Sequence, residues 1–186
     1  MGIFSAARCW WMFRTMGWDD NNVAVLDGGF SKVAEDFPEL IIEGKVADDD
    51  MSSVPEEEAR RIAKLLESNH QFRQELVRSV DQIERNLKEP QEQVVDARPL
   101  GRFNGTDPEP RAGLSSGHMP HSVSLPFSDV LAKGCMRSPE EIRTLYLDRG
   151  IDIHASTGST IISSCGSGVS AAVIDLALTS ASKLPG

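Results

Sequence analysis

The stretch Thr160-Ile-Ile-Ser-Ser-Cys-Gly-Ser-Gly-Val-Ser170 joins a short β-rich run to an apolar helical run at residues 171–178. Cys165 therefore lies in a tight loop between a predicted strand and a predicted helix. Gly166 and Gly168 let the backbone bend so that successive N–H groups can face one point, and the positive end of the following helix adds to them. These surroundings favour a thiolate, so Cys165 is a candidate nucleophile. The alternative is a packed thiol without a chemical role.

Two other kinds of site share this strand-loop-helix form. Gly166-Ser-Gly-Val-Ser-Ala171 matches the G-x-G-x-x-A form of a dinucleotide fingerprint, but the chain ends before the acidic residue expected about 20 positions further on. A cysteine phosphatase carries an arginine six positions after its nucleophile, and that position is Ala171 here. An uncharged loop of this size suits a small sulfur atom better than a phosphate, so a phosphatase is a remote alternative.

Composition narrows the function classes. The chain has 186 residues and a net charge of −9, which argues against nucleic-acid binding. No apolar run approaches the ~18 residues of a membrane span, so no membrane partner is predicted. The three cysteines are widely spaced and include no C-x-x-C pair, which is typical of a reducing compartment and not of a disulfide framework or a zinc site. His118 and His121 have no further ligand motif, so neither a metal nor a cofactor is predicted.

Three motifs upstream extend the pattern of the Cys165 loop. They are Val94-Val-Asp-Ala-Arg98, Gly101-Arg-Phe-Asn-Gly-Thr-Asp-Pro-Glu-Pro-Arg111 and Gly117-His-Met-Pro120. Together with the loop they resemble the rhodanese-type sulfurtransferases. The run Cys-Gly-Ser-Gly-Val-Ser is similar to the 3-mercaptopyruvate branch of that family, because thiosulfate-type members usually carry a basic residue where this chain has Gly166.

The resemblance implies a domain organisation. Trp10-Trp-Met-Phe-Arg14 and Asn22-Val-Ala-Val-Leu-Asp-Gly-Gly29 resemble the end of the non-catalytic first domain of this two-domain family. Residues 1–43 are then a remnant of that domain, residues 44–75 a linker with a helix, and residues 76–186 the catalytic domain. We expect a chain that lacks both the beginning and the end of the two-domain enzyme.

The implied fold class is α/β, a rhodanese-like three-layer α/β/α arrangement. Its parallel sheet has five strands in the family, and the catalytic domain here is expected to lack its last strand and helix. Strands are predicted at residues 23–26, 76–80, 94–97, 122–125 and 160–164. Helices are predicted at residues 5–16, 31–37, 56–66, 81–88, 138–150 and after the Cys165 loop. We further predict that residues 22–26 fill the vacant edge beside residues 160–164, within the chain or between chains.

The resemblance also implies a mechanism and its residues. Cys165 takes the outer sulfur of 3-mercaptopyruvate or thiosulfate as a persulfide, and a thiol, thioredoxin or cyanide then removes it. Ser167 matches a loop serine proposed to relay protons to the departing group. Arg102 and Arg111 match the substrate-binding arginines, whose planar fork suits a carboxylate. The loop N–H groups complete the predicted substrate-binding set, namely Gly166, Gly168, Val169 and Ser170.

Several nearby residues are assigned structural roles. Asp96 and Arg98 are predicted to form an ion pair or to hydrogen-bond the loop, and His118 is predicted to lie in a structural turn. His121 replaces the glycine usual at its position, which costs stability if φ is positive there. The three tryptophans are predicted to be packing residues.

A second hypothesis is an inactive rhodanese-like fragment that binds a partner or a sulfur carrier. An unpaired sheet edge would favour it and would permit self-association. Turnover of a sulfur donor by a folded chain separates the two hypotheses. The predicted location is the cytoplasm or the mitochondrion.

Overall fold

A computed structural model of the chain describes residues 3–18, 22–42, 44, 55–67, 71–153 and 160–182. Residues 45–54 and 68–70 of the predicted linker lie outside these ranges. The α-helices are α1 (Ile3–Thr15), α2 (Gly29–Asp36), α3 (Glu56–Glu67), α4 (Val80–Lys88), α5 (Leu100–Asn104), α6 (Pro139–Asp148) and α7 (Val169–Ser182). The strands are β1 (Glu92–Asp96), β2 (Val123–Ser124), β3 (Leu131–Ala132), β4 (Cys135–Met136) and β5 (Thr160–Ser164).

A parallel sheet of order β2-β1-β5 positions the site. Its central strand, β1, carries Val94 and Val95, both buried as expected for a strand covered on both faces. Asp96 is level with Ser124 of β2 and Ser164 of β5. The carboxyl ends of the three strands therefore meet at one edge, where an α/β sheet places its ligands. The predicted α/β class and the strand that delivers Cys165 are confirmed.

Helix α7 is packed in the core and directly follows the Cys165 loop. Val173 and Ile174 are fully buried, and the helix packs against α1, α6 and β5. Each such aliphatic side chain contributes about 1.5–3 kcal/mol when fully buried. The Tyr146 hydroxyl of α6 donates to the Ile174 carbonyl at 2.7 Å, and burial raises the pKa of this tyrosine. The amino end of α7 is therefore held firmly beside the loop.

Helix α6 begins where its sequence predicts. The Ser138 hydroxyl accepts from the Glu141 N–H at 3.2 Å, and the Ser138 N–H donates to the Glu141 carboxylate at 3.0 Å. These bonds lower the pKa of Glu141, the backbone bond most. Pro139 occupies the first turn, where its missing N–H costs nothing. Gly150 follows the helix with a φ of +69°, so the predicted glycine stop is confirmed.

Two predicted strands are wrong. Residues 23–26 form no strand, and the segment does not pair with β5 within the chain; instead Asp27 accepts from the Met136 N–H at 2.7 Å. The strand predicted at residues 76–80 is also absent. Gln74–Leu76 form a 3-10 turn, the backbone is extended from there to Ser79, and Ser79 caps α4. Both segments have β-rich composition, but a strand exists only where a neighbour pairs with it. The described residues contain three parallel strands, where the family resemblance implied five.

A short antiparallel hairpin, β3-β4, was not predicted. Its two-residue turn is Lys133-Gly134, and both residues have positive φ, 51° and 83°. Hairpins favour this mirror-image turn because its twist matches that of the strands. Asparagine or aspartate before glycine is the usual signal, and lysine gives a much weaker one.

Candidate active site

Cys165 follows the last residue of β5 and precedes α7 by a loop of three residues. Its side chain is half-buried against the core, and its Sγ accepts a hydrogen bond from the Gly168 N–H at 3.0 Å. A ring of loop amides was expected around the sulfur. Among the described residues only the Gly168 amide donates to it.

Gly168 is required by its backbone and by its neighbour. Its φ is +81°, a conformation that side chains with a Cβ rarely adopt. A Cβ built there would lie 2.6 Å from Nη1 of Arg8, so the flexible end of that side chain would have to shift. Gly166 has more room, because a Cβ there would lie 3.1 Å from Nη2 of Arg102. Two arginines therefore approach the loop, one at each glycine.

Arg8 is the residue that the sequence reasoning missed. It lies on α1, and its guanidinium is stacked over the Trp11 ring at 4.8 Å from the centroid. The sequence analysis predicted that the tryptophans of this helix are packing residues, which is right for buried Trp10. It gave no role to Arg8. No local signal could have found the contact, because it joins residues at opposite ends of the chain.

A cavity of about 120 Å³ opens beside the loop. We call it the arginine cavity. Its lining comprises both predicted substrate-binding arginines and three predicted loop residues, together with one acid, one proline and one leucine: Arg102, Arg111, Gly166, Ser167, Ser170, Glu109, Pro110 and Leu114. The structure thus brings together five of the eight predicted site residues in one lining. Cys165, Gly168 and Val169 belong to the same loop but are not part of that lining.

Arg102 is held by an acid that the prediction did not single out. Glu109 accepts from Arg102 Nη2 at 2.5 Å and from Arg102 Nε at 3.2 Å. It also accepts from Arg98 Nη1 at 2.9 Å, and its side chain is only 5% exposed. The hydrogen bond from Arg102, followed by the charges of both arginines, lowers the pKa of Glu109. Glu109 is therefore an anion at neutral pH.

Arg98 anchors this acid to the sheet. Its guanidinium donates to both carboxylate oxygens of Asp96, with Nη2 at 2.6 Å from Oδ2, and to the Gly117 carbonyl at 2.6 Å. Asp96 is 2% exposed, so the pair is buried. The hydrogen bond to Asp96 raises the pKa of Arg98. The predicted structural ion pair is confirmed.

Arg111 differs from Arg102 in having no partner among the described residues. It is exposed, and no described residue forms a hydrogen bond or an ion pair with its guanidinium. A cation in this state keeps its donors available for a bound anion. The two arginines of the cavity are therefore chemically unequal.

The two histidines nearby are structural. The His118 ring stacks on Phe103 with centroids 3.7 Å apart, and its Nδ1 lies 2.8 Å from the Phe103 carbonyl oxygen. This fits the predicted structural turn. His121 has a φ of 64°. The predicted cost in stability of replacing glycine depended on a positive φ, and that condition is met.

Comparison with known proteins identifies the family. No protein-family model matches the chain. The 3-mercaptopyruvate sulfurtransferase of Rattus norvegicus is 39% identical over 172 residues, which cover 91% of this chain and 50% of the rat protein. A solved structure from Escherichia coli, described as a 3-mercaptopyruvate enzyme with the rhodanese fold, matches with a TM-score of 0.71 and 30% identity, over 97% of this chain and 59% of that chain. Along most of its length the chain is similar to rhodanese-type sulfurtransferases, and it shares their fold. The predicted rhodanese-like fold is confirmed.

Other members of the rhodanese-type family match over similar lengths. An Arabidopsis thaliana protein named thiosulfate/3-mercaptopyruvate sulfurtransferase 1, mitochondrial, is 34% identical over 190 residues, which cover 95% of this chain and 47% of that protein. The chain spans about half the length of the curated relatives it matches. Within the described ranges, no helix has both the length and the apolar character needed to cross a membrane.

Proposed function

We propose that the chain transfers sulfane sulfur from 3-mercaptopyruvate, or from thiosulfate, to an acceptor through a persulfide on Cys165. One short segment carries both the hydrogen-bonded sulfur of Cys165 and three residues that line the arginine cavity. This arrangement is the observation that carries the proposal. A keto acid that carries a thiol needs both features. Its carboxylate requires a cation, and its sulfur must reach a nucleophile.

Donor binding rests on the two arginines. Arg111 is free to donate to the donor carboxylate, and Arg102 lies beside Gly166 with its orientation set by Glu109. With its carboxylate on these two guanidinium groups, the donor is proposed to present its sulfur-bearing end to Cys165. Holding reactants in this way converts a bimolecular step into a nearly unimolecular one.

The first chemical step is attack by the Cys165 thiolate on the donor sulfur. A sulfur–sulfur bond forms while the carbon–sulfur bond of the donor breaks, and the electron pair passes to the pyruvate enolate. That enolate takes up a proton and leaves as pyruvate. Ser167 lines the cavity and is proposed to relay this proton. The Gly168 N–H stabilises the negative sulfur before attack.

The second step returns the thiolate. An acceptor thiol, a thioredoxin or cyanide attacks the outer sulfur, and the bond between the two sulfurs breaks. Splitting the transfer in two is ordinary covalent catalysis. The site is proposed to operate in the cytoplasm or the mitochondrion. It needs neither a metal nor an organic cofactor for these steps.

Self-association through β5 is a separate part of the proposal. Among the described strands, β5 pairs only with β1, so its other edge has no strand beside it. An edge of this kind is a template for pairing with another chain. Size-exclusion chromatography over a hundredfold range of concentration should show a dimer at the upper end. Elution as a monomer throughout would contradict this part alone.

Pyruvate release tests the main proposal. The chain should release pyruvate from 3-mercaptopyruvate in the presence of a thiol acceptor, and Cys165→Ser should abolish that release. Cys135→Ser is the matched control, because Cys135 is also half-buried but lies in the β3-β4 hairpin. A folded chain with a reactive Cys165 and no pyruvate release would favour the inactive fragment instead.

A further inference from the structure

Residues 110–116 form a loop whose two ends are held by one guanidinium. The Glu109 carboxylate, just before the loop, accepts from Arg98 Nη1 at 2.9 Å. The Gly117 carbonyl, just after the loop, accepts from Arg98 Nη2 at 2.6 Å. Arg98 is itself bonded to buried Asp96 at the end of β1. We call residues 110–116 the clamped loop, because its base is tied to the sheet although it belongs to no helix or strand.

Between these fixed ends the clamped loop is loosely held. All its residues are exposed, and none of them forms a hydrogen bond with a residue that the structure describes. Gly113 has a φ of +83°, and nothing lies within 4 Å of the position that a Cβ would take there. A segment with an exposed backbone and few contacts moves at a low cost in free energy. The tip of the clamped loop is therefore free to move while its base stays in place.

The clamped loop forms one wall of the arginine cavity, and the Cys165 loop forms another. From the clamped loop the lining residues are Pro110, Arg111 and Leu114. Leu114 lines the cavity, yet 53% of this residue is exposed. An apolar side chain in this position gains free energy when it covers a bound molecule. One mobile segment thus carries both a cation for a carboxylate and an apolar cover.

We propose that the clamped loop is a lid that closes over 3-mercaptopyruvate bound in the arginine cavity. The inference rests on the proposed function and deepens it. The donor carboxylate draws Arg111 inward, Leu114 covers the carbon chain, and the bonds of Arg98 fix where the loop closes. Closure excludes water from the thiolate and from the departing enolate. After pyruvate leaves, the lid opens and the acceptor reaches the outer sulfur of the persulfide.

Hydrogen exchange followed by mass spectrometry tests the lid without turnover. Pyruvate, the proposed product, carries the same carboxylate as the donor and is added to the full chain at increasing concentrations. Exchange of the amides of residues 111–116 should slow by about tenfold at saturation, because the amides of a closed lid exchange only when it opens. The exposed β3-β4 turn is the internal control, and its exchange should not change.

A second test removes the apolar cover. Leu114→Ala shortens a side chain on an exposed loop, so the fold should be preserved. The pyruvate concentration that half-protects Cys165 from alkylation by iodoacetamide should rise about fivefold, since a partly buried leucine side chain is lost. Leu147→Ala is the matched control, because Leu147 is 48% exposed and lies on α6, outside the cavity lining. Equal values in the two variants would overturn the role of Leu114.

Three outcomes separate the lid from the proposed function. If pyruvate slows exchange in the clamped loop but no donor is turned over, the lid stands and the proposed function fails. If pyruvate protects Cys165 while exchange in the clamped loop is unchanged, the lid fails and a static site remains. If pyruvate neither protects Cys165 nor slows exchange, the cavity binds no carboxylate and both proposals fail.

Discussion

The Cys165 loop has two faces, and an arginine approaches each of them. On the cavity face Arg102 lies beside Gly166 and is neutralised by buried Glu109. On the α1 face Arg8 lies against Gly168 and is stacked over Trp11 without a described carboxylate partner. The difference shows that proximity of a cation does not define its role. The first arginine is paired with a carboxylate, and the second is stacked on an aromatic ring beside the loop backbone.

The largest effect is expected at Gly168. Gly168→Ala places a Cβ at a φ of +81°, which strains the loop that donates to Cys165 Sγ. Strain alone costs about 1–3 kcal/mol, and sulfur transfer should fall by at least about tenfold. The comparison variant is Gly134→Ala, which has a φ of +83° but open space around it. Equal losses of transfer in the two variants would show that strain at Gly168 has no specific effect on the Cys165 loop.

Variants of the two cavity arginines should have similar effects on donor binding but different effects on stability. Arg102→Met and Arg111→Met should each raise the KM for 3-mercaptopyruvate by about tenfold or more, since a charge-assisted bond is worth about 1.5–3 kcal/mol. Only Arg102→Met should also lower the melting temperature, because it leaves buried Glu109 with one partner. Thermal melts with donor kinetics on both variants check this. An equal loss of stability would show that Arg111 is paired after all.

Lowering the pH should reduce the stability of the folded chain through protonation of Glu109. Its pKa is lowered in the folded chain, so its contribution to stability is complete above the unfolded value. The contribution disappears as the pH falls through the lower folded value. Urea unfolding from about pH 6 to about pH 3 should therefore show a smaller loss of stability in Glu109→Gln than in the unaltered chain. Identical acid sensitivity would mean that the arginines do not stabilise this carboxylate.

The smallest effect is expected on the α1 face. Arg8→Met removes a cation–π contact with Trp11 worth about 0.5–1 kcal/mol and should lower the free energy of unfolding by that amount. The KM for 3-mercaptopyruvate should not change, because Arg8 does not line the arginine cavity. Chemical denaturation and donor kinetics give both values. A rise in KM as large as that of Arg111→Met would make Arg8 an anion-binding residue.

Local sequence predicted the Cys165 loop much better than it predicted the charged residues around that loop. The strand Thr160–Ser164 and the glycine loop follow from a short apolar run and two glycines separated by one residue, which act within a few residues of one another. The positions of Arg102 and Arg111 followed from the family resemblance. Glu109 was within a quoted motif, but its burial between two arginines depends on how β1 and the following loop fold together.

The errors have the same origin. The apolar run at residues 23–26 has the composition of a strand, yet no strand of the described chain pairs with it. The approach of Arg8 to Gly168 joins the first described helix to the loop before the last one, so no local pattern carries it. Pairing and packing over long sequence distances decide such features, and composition does not encode them directly.

The most direct test of the account is mass spectrometry of the purified chain after exposure to 3-mercaptopyruvate without an acceptor. The peptide that contains Cys165 should gain one sulfur atom, and addition of a thiol should remove it. The peptides with exposed Cys9 and half-buried Cys135 should remain unchanged. No added sulfur on the Cys165 peptide, or equal addition to the Cys9 peptide, would contradict the claim that this loop makes one cysteine a sulfur carrier.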